Sequence, residues 1–557
     1  MASRPFAWEK SYPEGVSWDT PINVTTLGAL IDGTVKTHGA RTAFEFRDRT
    51  LTYAELGAEA DRFGAALMRA GISAGMTVAL YLPNTPHHPI SFFGAAKMGV
   101  RLAHLSPLDA ERVLAYKLKD SGAKVLVTTD IAPLFGMALK LFEAGVVDHL
   151  IVAEDATWGP SGVPTLPIPG KPGITTFAAF VDGASPPAAW PEVRPDDVAL
   201  LQYTGGTTGM PKGAMLSHGN LTAAVSIYDA WQQALPTGAP EDDRVILVLP
   251  LFHIYALTSV MLRQVSRGSC MLLRMRFDAE QTLDDIEKRR ANVFPGVPTM
   301  WIALVNHPRF AGADLSSLAY AASGGAALPV EIARRFEGRT GLRLAGGWGM
   351  TETSPAGTNV PNTGVSKPGT IGLPLPGVEM NVAALDDPHR LVGPGEVGEL
   401  RIKGPNVTRG YWNRAEESAN SFADGYFLTG DIGYMDEDGF FFIVDRKKDM
   451  IISGGFNVYP QMIEQAIYEH PSVAEVIVIG IPDGYRGEAA KAFVTLREGA
   501  EPFSLDDLKR FLADKVGRHE MPAALEFRDS LPKTPVGKLS RAELRNEIKA
   551  AEASAAG

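Results

Sequence analysis

The chain has 557 residues, of which 45% are hydrophobic and 21% are charged. Single hydrophobic cores stop growing at roughly 250–300 residues, so we expect at least two domains. The composition excludes a largely disordered or collagen-like chain. The 53 Lys and Arg residues against 64 Asp and Glu residues leave a net charge of −11, which argues against a nucleic acid as the main partner.

The N-terminal residues lack the apolar segment of a secretory signal, and no stretch approaches the length of apolar sequence that spans a membrane. The single cysteine, Cys270, excludes an intramolecular disulfide, and its apolar neighbours favour a buried structural thiol over a nucleophile. We therefore expect a cytoplasmic protein without a transmembrane segment. The sequence leaves its oligomeric state open.

Helical and strand patterns alternate through most of the chain. A helical pattern opens at Tyr53 and runs to Ala70, and short apolar runs at 78–82, 124–128 and 149–152 indicate buried strands. Continuous apolar runs separated by helices are typical of parallel strands covered on both faces. The pattern therefore predicts an α/β protein with doubly wound sheets.

Three later stretches depart from this alternation. Residues 159–191 are rich in Pro and Gly and predict a surface loop, whereas residues 377–411 predict a small β-rich subdomain. The charged run 445–449 precedes a compact α/β module of about a hundred residues, a normal size for a domain. We therefore predict a large N-terminal domain over 1–444, a hinge at 445–449 and a small C-terminal domain over 450–557.

The most informative segment, Tyr203–Gly213, combines glycines, hydroxyl-bearing residues and a lysine directly after a predicted buried strand. Glycine lets backbone N–H groups approach phosphate oxygens, hydroxyls add donors, and Lys212 adds a positive charge. The spacing is not that of a Walker A loop, which tells against a P-loop nucleotide switch or motor. An ordinary glycine-rich turn would not need the threonines and the lysine, so the segment predicts phosphate binding.

This loop resembles the signature of the acyl-adenylate-forming superfamily, which includes acyl-CoA synthetases, peptide-synthetase adenylation domains and luciferases. Further segments resemble other motifs of the superfamily in the same order, at 347–352, 426–431, 445–449 and 532–538. The resemblance covers nearly the whole chain and is greatest to bacterial medium- and long-chain fatty acid CoA ligases. Some relatives of those enzymes act on dicarboxylic acids such as pimelate.

The resemblance implies an ATP-dependent acid:CoA ligase that acts on an aliphatic carboxylic acid. The carboxylate would attack the α-phosphate of ATP and release pyrophosphate. The CoA thiol would then attack the acyl-adenylate and release AMP. The first step brings two anions together, so positive charge and preorganised donors must supply most of the catalysis. ATP, Mg²⁺ and coenzyme A are the implied ligands, and no nucleic acid is expected.

Each motif carries implied roles. Lys538 would be the cation between the carboxylate and the α-phosphate, and Thr351 would donate to that phosphate. Glu352 would ligate Mg²⁺, with Thr204 as the second metal candidate. Trp348 would stack on adenine, and Asp431 would accept hydrogen bonds from the ribose hydroxyls. The implied ATP- and AMP-binding residues are Thr204, Gly205, Gly206, Thr207, Thr208, Gly209, Lys212, Gly325, Ala326, Gly347, Trp348, Gly349, Asp431 and Arg446.

Lys448 occupies the position of the superfamily's pivot, about which a mobile small domain would rotate between the two half-reactions. The first orientation would deliver Lys538, and the second would offer the segment with Ser453, Gly454 and Gly455 to the CoA arm. Glycines would let a narrow pantetheine chain pass close to the backbone. A solvated charge pair at 447–448 and a simple turn at 454–455 are the alternatives.

The segment 250–257 resembles the mouth of the acyl pocket of acyl- and aryl-CoA ligases. His253 stands where amino-acid-activating relatives carry an aspartate, which disfavours an amino acid substrate. The implied apolar acyl pocket comprises Phe252, His253, Tyr255, Leu257, Val297 and Gly324. Gly346 and Trp348 depart from the usual residues of fatty acid ligases, so the particular acid stays open.

Two alternatives follow for the substrate and the acceptor. A medium-chain dicarboxylate would need a cation or donors in the pocket. Arg263 and Arg267 are close in sequence, but we expect them to be solvated surface residues. A stand-alone acyl-AMP ligase would load a carrier protein instead of CoA, but the C-terminal tail shows no modifiable serine in the Gly-x-Asp-Ser-Leu-like setting of a carrier domain. Nothing favours a luciferase-like oxygenase, and the retained Lys538, Asp431 and Glu352 disfavour a non-enzymatic binding role.

Overall fold

The structure is a computed structural model that describes residues 4–204, 210–232, 238–325, 328, 330–453, 456–534 and 538–555. The described strands, in chain order, are β1 (Thr42–Phe46), β2 (Arg49–Thr52), β3 (Thr77–Leu80), β4 (Arg101–His104), β5 (Val125–Thr129), β6 (His149–Ala153), β7 (Ile174–Thr176), β8 (Val198–Thr204), β9 (Lys212–Ser217), β10 (Arg244–Leu247), β11 (Cys270–Leu273), β12 (Val293–Gly296), β13 (Tyr320–Ser323), β14 (Leu344–Trp348), β15 (Thr358–Asn359), β16 (Leu373–Pro374), β17 (Glu379–Ala383), β18 (Gly398–Lys403), β19 (Phe422–Ala423), β20 (Tyr426–Met435), β21 (Phe441–Arg446), β22 (Ile451–Ser453), β23 (Phe456–Val458), β24 (Val473–Asp483), β25 (Gly487–Leu496) and β26 (Ala524–Phe527).

The described α-helices are α1 (Leu27–His38), α2 (Tyr53–Arg69), α3 (His87–Lys97), α4 (Glu111–Ser121), α5 (Ala132–Glu143), α6 (Phe177–Val181), α7 (His218–Gln232), α8 (Arg263–Arg267), α9 (Ala279–Glu287), α10 (Pro298–Asn306), α11 (Val330–Thr340), α12 (Ala415–Asn420), α13 (Pro460–Tyr468), α14 (Leu505–Leu512) and α15 (Arg541–Ala555). A π-helical segment, Tyr255–Leu262, runs directly into α8. None of the helices in the described ranges has the length and apolar character needed to cross a bilayer.

The chain divides into two compact units. The first comprises Met1–Ser366, Gly372–Glu379 and Lys403–Phe422, and the second comprises Lys367–Ile371, Met380–Ile402 and Ala423–Gly557. The sequence-based boundary at 445–449 lies inside the second unit and stays a prediction.

The first unit contains two extended sheets. One has the strand order β7-β6-β5-β3-β4-β8-β9 and is parallel except for β9. The other has the order β16-β15-β14-β13-β12-β10-β11-β1-β2, with a parallel centre and antiparallel ends. The apolar runs that predicted buried strands at 78–82, 124–128 and 149–152 correspond to β3, β5 and β6, so this part of the prediction is confirmed.

Helices α2 and α3 pack between these sheets. Their side chains share one hydrophobic core with strands of both sheets, and every residue of α3 is buried. The two helices approach closely at Gly94, where an added Cβ would lie only 2.5 Å from the carbonyl oxygen of Ala60. Helix α2 begins where the sequence predicts, since Thr52 and Glu55 form a capping box at its N-terminus. The doubly wound architecture therefore follows from buried helices on the sheet faces.

The predicted surface loop at 159–191 is only partly a loop. Residues Ile174–Thr176 form the edge strand β7, and Phe177–Val181 form α6, whose N-terminus is capped by Thr176. Both elements are too short to produce a recognisable hydrophobic period, which is why the prediction of an irregular segment was wrong there.

The second unit contains two five-stranded sheets. Strands β17, β18, β20 and β19 form one, with β21 paired to β20, and their end residues Glu379, Lys403 and Phe422 belong to the first unit. Strands β23, β22, β25 and β24 form the other, with β26 paired to β25. The first sheet includes the predicted β-rich subdomain, and the second belongs to the predicted C-terminal α/β module.

Candidate active site

Four parallel strands of the large sheet end at one edge and supply most of the predicted acid and adenine residues. The chain leaves β10 toward Phe252 and His253, leaves β12 at Val297 and leaves β13 at Gly324, while β14 ends at Trp348. Ligands of open α/β sheets bind outside the carboxyl ends of the strands. These sequence-predicted residues are therefore brought together by the topology.

Two buried amides hold the loop that follows β10. The Asn84 side chain donates to the carbonyl oxygens of Leu249 and Arg274 at 2.9 and 3.1 Å, and it accepts from the backbone of Leu251 at 2.8 Å. Gln202 Nε2 donates to the Phe252 carbonyl at 2.8 Å. The sequence analysis missed both amides, which no local motif marks.

The predicted acyl-pocket residues differ in accessibility. Phe252, His253, Tyr255 and Gly324 are half-buried, whereas Leu257 and Val297 are packed inside the main hydrophobic core. The Tyr255 ring fills the space beside Gly324, where an added Cβ would lie 2.9 Å from the ring. The half-buried residues are thus available to a ligand, and the two core residues support them from behind.

Arg263 is not the solvated surface residue that we expected. Its side chain is buried, the residue being 5% exposed, and its Nε donates to Asp229 Oδ1 at 3.0 Å. It also contacts the Gln232 side-chain oxygen, which Arg267 approaches at 3.5 Å. Burial lowers the pKa of Arg267, with the Arg263 charge acting in the same direction. The sequence missed this burial because α8 packs against helices that are distant in sequence.

Glu352 lies in a cluster that also holds the lysine of the phosphate loop. Its carboxylate is 5% exposed and accepts a hydrogen bond from the Tyr411 hydroxyl at 2.8 Å. The Lys212 ammonium lies over the Tyr411 ring and pairs with Glu417 at 2.8 Å. Lys212 begins β9 opposite Thr204, which ends β8. Residues 205–209, between them, and Ala326 lie outside the described residues.

A tight turn presents Thr351 and Glu352 after β14. A Cβ added at Gly349 would lie 1.4 Å from the Pro355 carbonyl oxygen, so only glycine fits there. The Asn406 side chain donates to the carbonyls of Thr353 and Ala356 at 2.6 Å each. These contacts fix the turn, and the half-buried Thr351 stands at its start.

The aromatic residue of this motif is largely buried. Trp348 packs over Gly357, where an added Cβ would lie 2.5 Å from its ring, and its backbone pairs with Thr358 between β14 and β15. At Gly347 an added Cβ would lie 2.6 Å from the Thr358 carbonyl oxygen. Gly325, at the end of β13, is exposed with a φ of +83°.

Glu352 could bind a metal ion only together with oxygen atoms that a bound ligand supplies. In the described part of the chain, no group of three or more His, Cys, Asp or Glu side chains could hold a metal ion. Mg²⁺ in nucleotide enzymes commonly takes one or two carboxylates together with phosphate oxygens. The single buried carboxylate of Glu352, in one cluster with Lys212, fits that pattern.

In the second unit, Asp431, Arg446 and Lys538 lie near one another. Asp431 is 2% exposed, and its Oδ1 accepts from Arg446 Nε at 2.7 Å across the β20–β21 pair. Burial and, secondarily, the Arg446 charge lower the pKa of Lys538 to about 8, while the Asp431 charge opposes this. Lys538 sits on a loop closed by a hydrogen bond from the Thr534 backbone N–H to its carbonyl at 2.6 Å.

The predicted hinge is tied to neighbouring helices by an ion cluster. Arg541 contacts Asp445 at 3.3 Å, Asp449 at 3.5 Å and Glu464 at 2.5 Å, and Arg545 contacts Asp449 at 2.8 Å. Burial raises the pKa of Glu464 to about 6, although Arg541 opposes the shift. The sequence analysis did not anticipate this cluster, which joins β21, α13 and α15.

The remaining predicted residues of this unit are Lys448 and the CoA segment. Lys448 is exposed, and its pKa is lowered by partial desolvation and then by the Arg446 charge. Ser453 is buried at the end of β22. Gly454 and Gly455 lie outside the described residues.

Comparisons with known proteins test the resemblance that the motifs suggest. The AMP-binding enzyme family model matches residues 31–412, and the model of the AMP-binding enzyme C-terminal domain matches residues 462–538. A long-chain-fatty-acid–CoA ligase of Bacillus subtilis (strain 168) is 38% identical over 553 residues, covering 97% of this chain and 98% of that protein. A feruloyl-CoA synthase of an Amycolatopsis species is 36% identical over 513 residues, covering 91% of this chain and 96% of that protein.

Among solved structures, ATP-bound MatB from Rhodopseudomonas palustris superposes with a TM-score of 0.83 at 30% identity, covering 94% of this chain and 99% of that one. The agreement of fold and sequence over nearly the full length confirms the resemblance found from the motifs. The chain belongs to the family of AMP-binding enzymes, within the acyl-adenylate-forming superfamily, and is an acyl-CoA synthetase of the AMP-forming acid–thiol ligase type.

Proposed function

We propose that this enzyme joins an aliphatic carboxylic acid of medium to long chain to coenzyme A, through an acyl-adenylate made from ATP. The observation that carries the proposal is the meeting of two kinds of residue at one edge of the large sheet. The half-buried His253 and Tyr255 follow β10, and the Tyr255 ring lies against Gly324 after β13, the strand that pairs with β14 before the segment 347–352. An acid and a nucleotide held there would lie side by side, as attack on the α-phosphate requires.

Lys538 supplies the cation of the first half-reaction in this proposal. Two negatively charged reactants repel each other, and a positive charge between them stabilises the transition state most strongly in a partly desolvated site. With a pKa of about 8, Lys538 stays mostly protonated at neutral pH. Thr351 donates its hydroxyl to the α-phosphate, and Lys212 neutralises charge on the departing pyrophosphate.

Glu352 and Thr204 are the residues that would hold Mg²⁺ together with the phosphates. When bound, the metal ion withdraws charge from the phosphate oxygens. The Tyr411 hydroxyl fixes one carboxylate oxygen of Glu352, which orients the carboxylate for a ligand.

The nucleoside contacts follow from Trp348 and Asp431. An indole ring offers a large π-face to adenine. Asp431 is a buried carboxylate, and a carboxylate can accept hydrogen bonds from both ribose hydroxyls. Arg446 itself would then contact the ribose or a phosphate. These roles support recognition of ATP in the first step and retention of the adenylate until the second.

We assign the second half-reaction to a rotation about Lys448. The rotation would remove Lys538 and present the strand end at Ser453–Gly455 to the CoA thiol. The sequence also predicts a cytoplasmic location, which fits the supply of ATP and CoA.

The test is AMP release from purified enzyme with ATP, Mg²⁺ and CoA over a panel of acids. The panel contains saturated monocarboxylates from butyrate to stearate, benzoate, and dicarboxylates from glutarate to sebacate. We expect CoA-dependent AMP release with a maximum among the aliphatic acids. Acid-dependent pyrophosphate release without any CoA-dependent turnover would overturn the proposal in favour of a carrier-loading enzyme.

A further inference from the structure

Three tyrosines from three elements meet beside the proposed acid pocket. They are Tyr228 of α7, Tyr255 of the π-helical segment and Tyr320 of β13, and the charge of Tyr320 would affect the ionisation of both others. Burial raises the pKa of all three, to about 12 for Tyr228, yet each side chain keeps accessible surface. The three rings are therefore largely covered but not sealed off from solvent.

The hydroxyls at this place have unused hydrogen-bonding capacity. In the described part of the chain the Tyr255 hydroxyl makes no hydrogen bond, and the Tyr228 hydroxyl meets the Pro355 carbonyl at 3.4 Å with Ser259 beside it. The buried Ser259 Oγ, beside Tyr228, likewise has no partner of normal geometry in the described chain. Buried polar groups are nearly always paired, so these hydroxyls can take a further partner.

Tyr255, Ser259 and Arg263 follow one another at intervals of four residues along the same helix, whose first part is π-helical. Such π-helical segments are rare in proteins overall, but those that do occur are often found at functional sites. The buried Arg263 is held by Asp229 and by the Gln232 side-chain oxygen. This polar row contrasts with the apolar wall that a methyl-terminated chain requires.

The orientation of Gln232 extends the polar row to the third tyrosine. Because the Gln232 oxygen contacts Arg263, its amide nitrogen is left for the Tyr320 oxygen, and Asn359 lies beside the same hydroxyl. An oxygen that accepts from amide groups keeps its own O–H for another acceptor. Tyr320 and Tyr255 can therefore both donate into the space between them.

On the basis of the proposed ligase function, we propose that the acid bears a hydrogen-bond-accepting oxygen away from its reacting carboxylate. The reacting carboxylate must face the segment Gly347–Glu352, so the atoms that reach the tyrosines belong to the other end of the molecule. A terminal hydroxyl or a second carboxylate accepts from Tyr255, Ser259 and Tyr320. A terminal methyl leaves these buried donors unpaired. A site built to hydrogen-bond an oxygen of its substrate therefore rejects the analogue that lacks this oxygen.

The experiment compares matched acids of equal length by kcat/KM for CoA-dependent AMP release. The sets are octanoate, 8-hydroxyoctanoate and suberate, and decanoate, 10-hydroxydecanoate and sebacate. We expect one oxygenated acid to exceed the plain acid by at least about tenfold at one length. A comparison of the hydroxy acid with the dicarboxylic acid of the same length shows whether the bound oxygen is neutral or anionic.

Plain acids that equal or exceed their oxygenated partners at both lengths would overturn the inference and leave the proposed function intact. Failure of every acid, including the full panel above, would instead overturn the proposed function. The two failures are therefore distinguishable.

Two single substitutions test whether these hydroxyls cause the preference for an oxygenated acid. Tyr255→Phe and Ser259→Ala each remove one donor and keep the side-chain shape, so each should lower the ratio of oxygenated to plain kcat/KM about three- to tenfold. Tyr434→Phe, in the second unit where the ring stacks on Phe442, is the control and should leave that ratio unaltered. Equal losses with both kinds of acid in Tyr255→Phe and Ser259→Ala would indicate a structural role and contradict the proposal.

Discussion

Lys538 is the residue on which the proposed first half-reaction depends most. We expect Lys538→Ala to lower acid-dependent pyrophosphate release by about a hundredfold or more, because the charge that stabilises the transition state is lost. Thioester formation from preformed acyl-adenylate should survive. Lys533→Ala is the matched control, since Lys533 lies on the same loop but pairs with Glu475. Adenylation within a few-fold of the parent in Lys538→Ala would refute the assignment.

The lowered pKa of Lys538 gives a pH dependence with a definite sign. The protonated amine is the active form, and its pKa is about 8, so kcat/KM for adenylation should fall as the pH rises through about 8. The profile is measured by pyrophosphate release between about pH 6 and pH 10. In Lys538→Arg the guanidinium stays charged over this range, so the alkaline fall should disappear. Persistence of the same fall in that variant would assign it to another group.

Tyr411 positions Glu352 without belonging to any motif that the sequence displays. Tyr411→Phe removes the hydroxyl that donates to Glu352 Oε1 and keeps the ring beneath Lys212. We expect the Mg²⁺ concentration for half-maximal rate to rise about tenfold, because such supporting hydrogen bonds orient metal ligands. Rescue of the rate at high Mg²⁺ would separate this effect from misfolding. An unchanged Mg²⁺ dependence would contradict the positioning role.

At the scale of single elements, the turn after β14 sets the geometry of the candidate site. Gly349→Ala should destabilise the protein by more than about 2 kcal/mol, because the new Cβ would overlap the Pro355 carbonyl oxygen. Gly346→Ala, in the preceding strand β14, is the matched control, since its Cβ would meet atoms no closer than 3.9 Å. The urea midpoints of the two variants make the comparison. Similar midpoints would mean that the turn adapts to a side chain.

The ion cluster at the hinge is a second element-scale feature. Removing one partner of a buried ion pair leaves a desolvated charge without compensation, which costs more than the pair contributes. Arg541 alone faces three carboxylates, so it holds β21, α13 and α15 together. Because Asp445 precedes Lys448 and the other partners follow it, the cluster spans the predicted pivot, and the proposed rotation would have to break the contact between Arg541 and Asp445.

At the scale of the whole molecule, the proposed rotation about Lys448 can be tested with one substitution. Proline fixes φ, and Lys448 donates no backbone hydrogen bond among the described residues, so Lys448→Pro removes none. We expect adenylation to be kept and thioester formation to be lost. Lys448→Ala, which leaves the backbone free, should keep both half-reactions. Equal damage to both steps in Lys448→Pro would count against alternation.

The sequence by itself determined the fold class and the family of the protein. The glycines, hydroxyls and lysine that favour phosphate binding stand together at 203–213, so that prediction rests on local sequence alone. The short apolar runs that became β3, β5 and β6 are equally local, because a strand buried on both faces must be apolar at every position. The edge strand β7 and α6 were missed because each has too few residues to repeat its hydrophobic period.

Only the tertiary structure decided which side chains support these residues and how polar the acid pocket is. Tyr411 meets Glu352 from 59 residues away, and Asn84 holds a loop more than 160 residues distant. The sequence predicted Arg263 to be a surface residue, but the packing of α7 against α8 places Asp229 and Gln232 beside it. Periodicity tells which face of an element is covered, but the identity of the covering residues depends on packing between elements, which local sequence does not encode.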